Sequence, residues 1–223
     1  ADILRGVDLD PGALAICDLV LRATAAELDR PASTGTSTST RLHRGDHLAL
    51  DHAQAFPDAF ARDDPGFDAI VGNPPYARPS LEQLELARRA GLLARDAGDL
   101  YPLFVEGALR VTRLAGRVGL IVPLSLLFSR STRTLRDDVL ARSGRDLRVA
   151  SFDRIPSGLF EAEVRTRTSI LLVGARAPEE PAGAAATRWR TTPLVRFTAR
   201  ERARVFERLA FSDVTGAVHP DLG

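Results

Sequence analysis

Four consecutive residues, Asn73, Pro74, Pro75 and Tyr76, follow the strand-like run Phe67–Gly72 directly. The two prolines fix φ and withhold two N–H donors, so the carbonyls beside them stand as rigid acceptors. The Asn73 amide adds a second acceptor. Together they form a site for the two protons of an –NH2 group. Tyr76 can stack on a flat heterocycle. An exocyclic amine on a base is a poor nucleophile because its lone pair is delocalised into the ring. Two acceptors on its protons favour a pyramidal nitrogen and free the lone pair for in-line attack. Such catalysis is positional and electrostatic, with no covalent intermediate and no metal. The same residues also suit a plain strand-ending turn. The strand before them, and the lack of β continuation after, favour the site.

Other residues with chemical potential are scattered. Asp8 ends an apolar run, where an acidic side chain can accept from hydroxyls. Asp10 suits a helix N-cap, with Pro11 in the first turn. Asp46 and His47 follow a short strand and also read as turn residues. His43, His47 and His52, with Asp46 and Asp51 nearby, invite a metal reading, but their spacing fits no compact helical ligand pair and no metal is expected. Tyr101 and Phe104 lie on a helix that turns them towards the core. Phe160 precedes the last strong strand, and Phe152 competes with it for any stacking role. Arg165 and Arg167 can reach phosphate or simply be solvated.

The elements that must position these residues alternate. Strands are expected at Ile3–Leu9, within Arg41–Leu48, and at Phe67–Asn73, Arg117–Pro123, Leu147–Asp153 and Thr168–Val173. Helices are expected from Pro11 to about Asp29, over Leu81–Ala94 and Tyr101–Leu114, and from about Thr132 to Ser143. In the first helix Leu14, Cys17, Leu21 and Leu28 recur at helical spacing. Apolar strands separated by helices predict an α/β fold with a mostly parallel sheet. The last two strands have no helix between them, which predicts an antiparallel final strand. Residues 31–40 are low-complexity and polar and read as a surface loop. The Pro/Ala/Gly-rich stretch 178–186 reads as a linker, followed by an Arg-rich helix at Thr198–Leu209.

Composition narrows the classes. The chain has 223 residues and a formal net charge of +1. All 30 basic residues are arginine, a pattern best explained by GC-rich coding. Near-neutral charge is weak for a nucleic-acid binder, whose affinity rests on phosphate contacts. No apolar run reaches the length of a membrane helix. Cys17 is the one cysteine, which precludes an intrachain disulfide and fits a reducing compartment. No secretory signal opens the chain, and the absence of Met reads as an internal piece of a longer protein.

On these residues the chain resembles the S-adenosylmethionine-dependent N6-adenine DNA methyltransferases, above all those of restriction–modification and phage-defence systems. The resemblance covers roughly residues 3–173. Asn73-Pro74-Pro75-Tyr76 matches the catalytic motif in full. Gly6–Pro11 resembles the acidic strand end that takes the cofactor ribose, which implies Asp8 with Leu9. Arg44–His47 resembles the next cofactor motif, which implies Asp46 at the adenine amino group and His47 against its ring. Residues 99–104 and 119–123 resemble the stretch after the catalytic motif and imply Phe104 near the cofactor. Gly158–Phe160 resembles the motif whose aromatic residue stacks on the flipped adenine.

The resemblance implies a Rossmann-like methyltransferase sheet, catalytic residues Asn73, Pro74 and Tyr76, and base stacking by Tyr76 and Phe160. It assigns Asp8, Leu9, Asp46, His47, Asn73, Pro75 and Phe104 to S-adenosyl-L-methionine. It implies double-stranded DNA as partner, restriction or defence subunits alongside, no membrane and a cytoplasmic location. The Gly-rich cofactor loop and the first central strand are absent and belong upstream of residue 1, so the segment is expected to be inactive alone. A catalytic core at 1–176, then a linker and the start of a following region at 177–223, is the expected layout. Other acceptors for the same chemistry are a protein glutamine or an RNA base. A non-catalytic methyltransferase-like scaffold is the alternative from another class.

Overall fold

The computed structural model describes residues 4–27, 42–160, 166–176 and 187–215. The expected polar loop at 31–40, the linker at 178–186 and Arg165 lie outside them. The chain divides into two compact units, residues 1–57 and 58–223.

In the first unit β1 (Gly6–Asp8) pairs in parallel with β2 (Leu42–Arg44), and helix α1 (Pro11–Glu27) lies between them in sequence. The helix starts as its sequence predicts: the Asp10 carboxylate accepts from the Gly12 N–H at 2.7 Å, and the Asp10 carbonyl accepts from Leu14 N–H. An acidic cap satisfies N–H groups that the first turn leaves without partners. Leu14 and Leu21 are half-buried, whereas Cys17, expected on the same face, is exposed. Two four-residue helices, α2 (His52–Ala55) and α3 (Pro57–Phe60), follow β2.

The second unit is built on one sheet. Its strands are β3 (Phe67–Gly72), β4 (Thr112–Pro123), β5 (Arg145–Phe152), β6 (Thr168–Arg176), β7 (Arg188–Thr191) and β8 (Ser212–Asp213), in spatial order β3-β4-β6-β5-β7-β8. Pairing is parallel for β3/β4 and β5/β7, and antiparallel for β4/β6, β5/β6 and β7/β8. The sheet is therefore mixed rather than mostly parallel, because β6 inserts between β4 and β5 and runs against both. Among the described residues no strand pairs with the outer side of β3.

Period-two alternation places Val118, Leu120 and Val122 of β4 in the core, with Leu147 and Val149 of β5 and Leu171 and Val173 of β6. Helices α4 (Leu81–Arg89) and α5 (Tyr101–Val111) follow β3. Ser80 and Gln83 close a capping box on α4. A buried carboxylate fixes the next connection: Glu106 accepts from the Leu93 and Ala94 N–H groups at 3.0 and 2.9 Å and pairs with Arg110 at 2.6 Å.

Two helix expectations need correction. The helix expected to reach Leu114 ends at Val111, and β4 begins at once. Gly66, at φ +117°, brings its backbone so close that a Cβ would lie 2.7 Å from the Val111 carbonyl oxygen and the Arg113 nitrogen. The Asp64 carboxylate then takes the Leu114 and Ala115 N–H groups, and Thr112 pairs with Phe67. Sheet pairing thus overrides helix propensity here. The helix expected at Thr132–Ser143 is a 3-10 turn at Arg130–Thr132 followed by a π-helical turn at Leu135–Leu140. There the buried Arg136 guanidinium donates to the Leu126 and Ser129 carbonyls and to the Thr132 hydroxyl, at 3.0, 2.7 and 2.7 Å.

In the C-terminal part, Arg188–Thr191 and Ser212–Asp213 are strands of this sheet. β7 extends it beside β5, and Phe197 and Val205 pack with Ala150 and Phe152 in one buried cluster. The Arg-rich segment Ala199–Arg208 takes a 3-10 rather than an α conformation and is capped by Thr198 and Glu201.

Candidate active site

In the second unit the site starts from the exit of β3. Gly72 pairs with Leu120 of β4, and the chain then leaves the sheet through Asn73. Asn73 and Pro75 are exposed, Pro74 is buried and Tyr76 is half-buried. Burying one proline anchors the turn while Asn73 and Pro75 remain exposed. The Tyr76 hydroxyl donates to the Ile121 carbonyl of β4 at 3.2 Å. Its ring meets the buried Tyr101 ring edge-on, with centroids 6.3 Å apart. Desolvation, then the neighbouring Tyr101, pushes the Tyr76 phenol up to about 12. It is therefore a neutral donor at any physiological pH. The Ala77 carbonyl accepts from the Leu100 N–H, closing the turn against the start of α5. Sequence reasoning gave Tyr101 to the core; it is also the wall that fixes Tyr76.

Elsewhere in this unit, Phe104 and Phe160 are half-buried. Phe152, the competing aromatic, is 0% exposed and packs edge-on against Phe197 and Phe206, so no base can reach it. Arg167 is held by Asp153 at 2.9 Å, and Arg196 reaches the other oxygen of the same carboxylate at 2.9 Å. The Asp153 side chain is 3% exposed while the arginines stay largely in solvent. Hydrogen bonds from Arg167, then Arg196, hold its carboxyl well below the usual carboxylate range. Sequence reading missed Asp153; its signal is an acidic residue at the exit of β5, in the run Phe152-Asp153-Arg154.

The first unit holds the other candidates. Asp8 ends β1 and is exposed; one carboxylate oxygen accepts from the Asp10 N–H at 2.8 Å, and its carbonyl accepts from Gly45 N–H. Leu9 is exposed beside it. Asp46 follows β2, and its carboxylate accepts from the Leu48 N–H at 2.8 Å. Because β1 and β2 are parallel, Asp8 and Asp46 leave the two-stranded sheet at the same end. His47 Nδ1 lies 3.0 Å from His52 Nε2. Among the described residues no three His, Cys, Asp or Glu side chains stand together as a metal-holding group.

Burial first, then His52, lowers His47 to about 4, against a raising pull from Asp46; burial also lowers His52. Between pH 6.5 and 4 the unfolded chain therefore binds more protons than the folded one, so stability falls as pH falls through that window. For His47 the loss is on the order of 3 kcal/mol at most. Asp64, Asp68, Asp146 and Asp153 are held low by the hydrogen bonds they accept and stay ionised across it. Thermal melts from pH 7 to 4.5 should show a falling midpoint, with a shallower fall for His47→Gln. A midpoint that does not move would mean the imidazoles are not held neutral by burial.

The chain belongs to the Eco57I restriction-modification methylase family, whose model matches residues 3–145. No curated protein matches it. Among solved structures it is similar to a DrdV–DNA complex, at 16% identity and TM-score 0.68 over 94% of this chain and 23% of that one. It is also similar to the EcoKI M protein of a type I restriction enzyme, at 17% and 0.57 over 92% of this chain and 40% of that one. A third is a class I S-adenosylmethionine-dependent methyltransferase from Listeria monocytogenes, at 18% and 0.52 over 86% of this chain and 50% of that one. The chain thus spans half or less of the length of each of these proteins, and at these identities they share its fold. Among the described residues no helix is long and apolar enough to cross a membrane.

Proposed function

We propose that this chain is part of the catalytic core of a DNA methyltransferase that modifies the N6 amine of adenine, with S-adenosyl-L-methionine as donor. The observation that carries the reading is the turn at the exit of β3. An exposed Asn73 amide and the proline-flanked carbonyls stand beside a Tyr76 ring fixed from two sides. In this role the Asn73 side-chain oxygen and the Pro74 carbonyl accept the two amine protons, and Tyr76 offers a ring face to the base. Phe160 offers a second face. The amine lone pair is then free to point along the line of attack.

The donor set fits the cofactor. Asp8 is an exposed carboxylate with capacity beyond its one backbone bond, as ribose hydroxyls require. Within the first unit, Leu9 and His47 offer apolar and flat surfaces and Asp46 an acceptor for an adenine amine; within the second, Asn73, Pro75 and Phe104 are the residues proposed to meet the cofactor. When bound, S-adenosylmethionine supplies an electrophilic methyl group. Double-stranded DNA is the substrate, with restriction subunits as partners in the manner of the multi-subunit systems among its structural neighbours, in the cytoplasm.

The test is transfer of labelled methyl from S-adenosylmethionine by the intact protein to duplex DNA, followed by nucleoside analysis. N6-methyladenine is the expected product. Label in protein glutamine or RNA would move the chemistry to those acceptors, and no transfer with retained cofactor binding would make the domain a scaffold.

A further inference from the structure

Extruding a base from a duplex leaves a gap in the stack, and proteins that deform DNA often fill such gaps with an apolar side chain. That filler must be exposed, rigidly backed and close to the pocket that takes the base. One residue, on a segment linked to the β3 turn through Ser125 and Tyr101, is exposed and rigidly backed. β4 ends at Pro123 next to the exit of β3, and the chain continues as Leu124-Ser125-Leu126-Leu127-Phe128-Ser129. Leu126 is fully buried, yet Phe128, two residues on, is 60% exposed. The ring is thus presented to solvent at the end of an otherwise apolar run.

The backbone behind Phe128 is over-determined. Phe128 N–H and Ser129 N–H both donate to the Ser125 carbonyl, at 3.2 and 2.8 Å. The Thr132 hydroxyl reaches the Leu126 and Ser129 carbonyls, and buried Arg136 reaches the same two. The segment is also tied to the turn. The Ser125 hydroxyl lies 3.5 Å from that of Tyr101, whose ring packs against Tyr76. Arg130 and Arg133 follow on the solvent side, where Arg133 pairs with Asp137 while 57% exposed. Exposed guanidinium groups flanking an exposed ring match a polyanion with stacked bases better than an apolar protein surface.

We infer that Phe128 fills the gap left in the DNA stack when the target adenine turns into the Tyr76 pocket, with Arg130 and Arg133 along the adjacent phosphates. This rests on the DNA-methyltransferase reading above. The experiment uses the intact protein and a duplex bearing its mapped site, with 2-aminopurine at the target position as the reporter of unstacking. Wild type should raise the fluorescence, and Phe128→Ala should lose most of that rise and bind about tenfold or more weakly. Phe128→Ala should melt with wild type, because the ring is outside the core, and Phe128→Trp should restore the signal.

An abasic target separates the two aromatic roles. With no base to stack, the Tyr76→Ala binding penalty should vanish while the Phe128→Ala penalty persists. If both vanish, Phe128 touches the extruded base and gap filling is wrong. A wild-type fluorescence rise with Phe128→Ala also overturns it. If wild type itself neither methylates DNA nor raises the signal, the reading of the site falls and takes this inference with it.

Discussion

Asn73→Ala should lower methyl transfer on the order of 100-fold or more, while melting temperature changes little and cofactor affinity falls far less than turnover. The size follows from what is lost: one of two pre-organised acceptors aimed at the reacting amine, in a site where each such contact is worth several kcal/mol. The selectivity follows from where Asn73 stands. Its side chain is exposed just beyond the last ladder position of β3, and the turn is anchored instead by buried Pro74 and by Tyr76. Removing the amide therefore leaves the anchors in place. Single-turnover transfer from labelled S-adenosylmethionine, with cofactor binding by calorimetry, separates the two effects. Asn73→Asp keeps an oxygen acceptor and should fall between wild type and Ala. Wild-type rates in Asn73→Ala would reduce the motif to a strand-ending turn.

The turn was legible because its signals are local. An apolar six-residue strand stopped by two prolines leaves little freedom in where the chain exits. Strand identity in β4, β5 and β6 was legible for the same reason, and so was the antiparallel β6, since no helical run lies between it and β5 to carry a parallel crossover. What the sequence hid depends on distant partners. β4 starts at Thr112 because Gly66 and Asp64 meet it, more than forty positions earlier. Nothing in Arg188–Thr191 marks it as a sheet strand; its pairing with β5 and the burial of Trp189 create that role. The π turn at Leu135–Leu140 arises from one arginine bonding back across the preceding loop. Likewise, Phe152 stood as a competitor to Phe160 for stacking, and only its enclosure by Phe197 and Phe206 removes it.

Tyr76→Ala should weaken productive DNA binding or turnover by roughly 5- to 100-fold, the range of one lost base–aromatic stack. Tyr76→Phe should stay close to wild type in transfer and lose only the hydrogen bond to the Ile121 carbonyl, worth about 1 kcal/mol of stability. The contrast between them isolates the ring from the hydroxyl. Tyr101 adds a reason to expect the ring to matter: it holds Tyr76 edge-on, so one face is presented without a further loss of side-chain freedom. The target amine must leave the duplex to reach this face, and extrusion costs a few kcal/mol in paired DNA but less at a mismatch. The Tyr76→Ala penalty should accordingly shrink on a mismatched target, and S-adenosylmethionine binding should change little. Phe160→Ala should follow the same pattern with a smaller amplitude. Were Phe160→Ala equal to wild type on both matched and mismatched DNA, the second ring face would have to come from elsewhere, since Phe152 is sealed in the core. Were Tyr76→Phe as damaging as Tyr76→Ala, the hydroxyl and its bond to β4, rather than stacking, would be what the reaction requires.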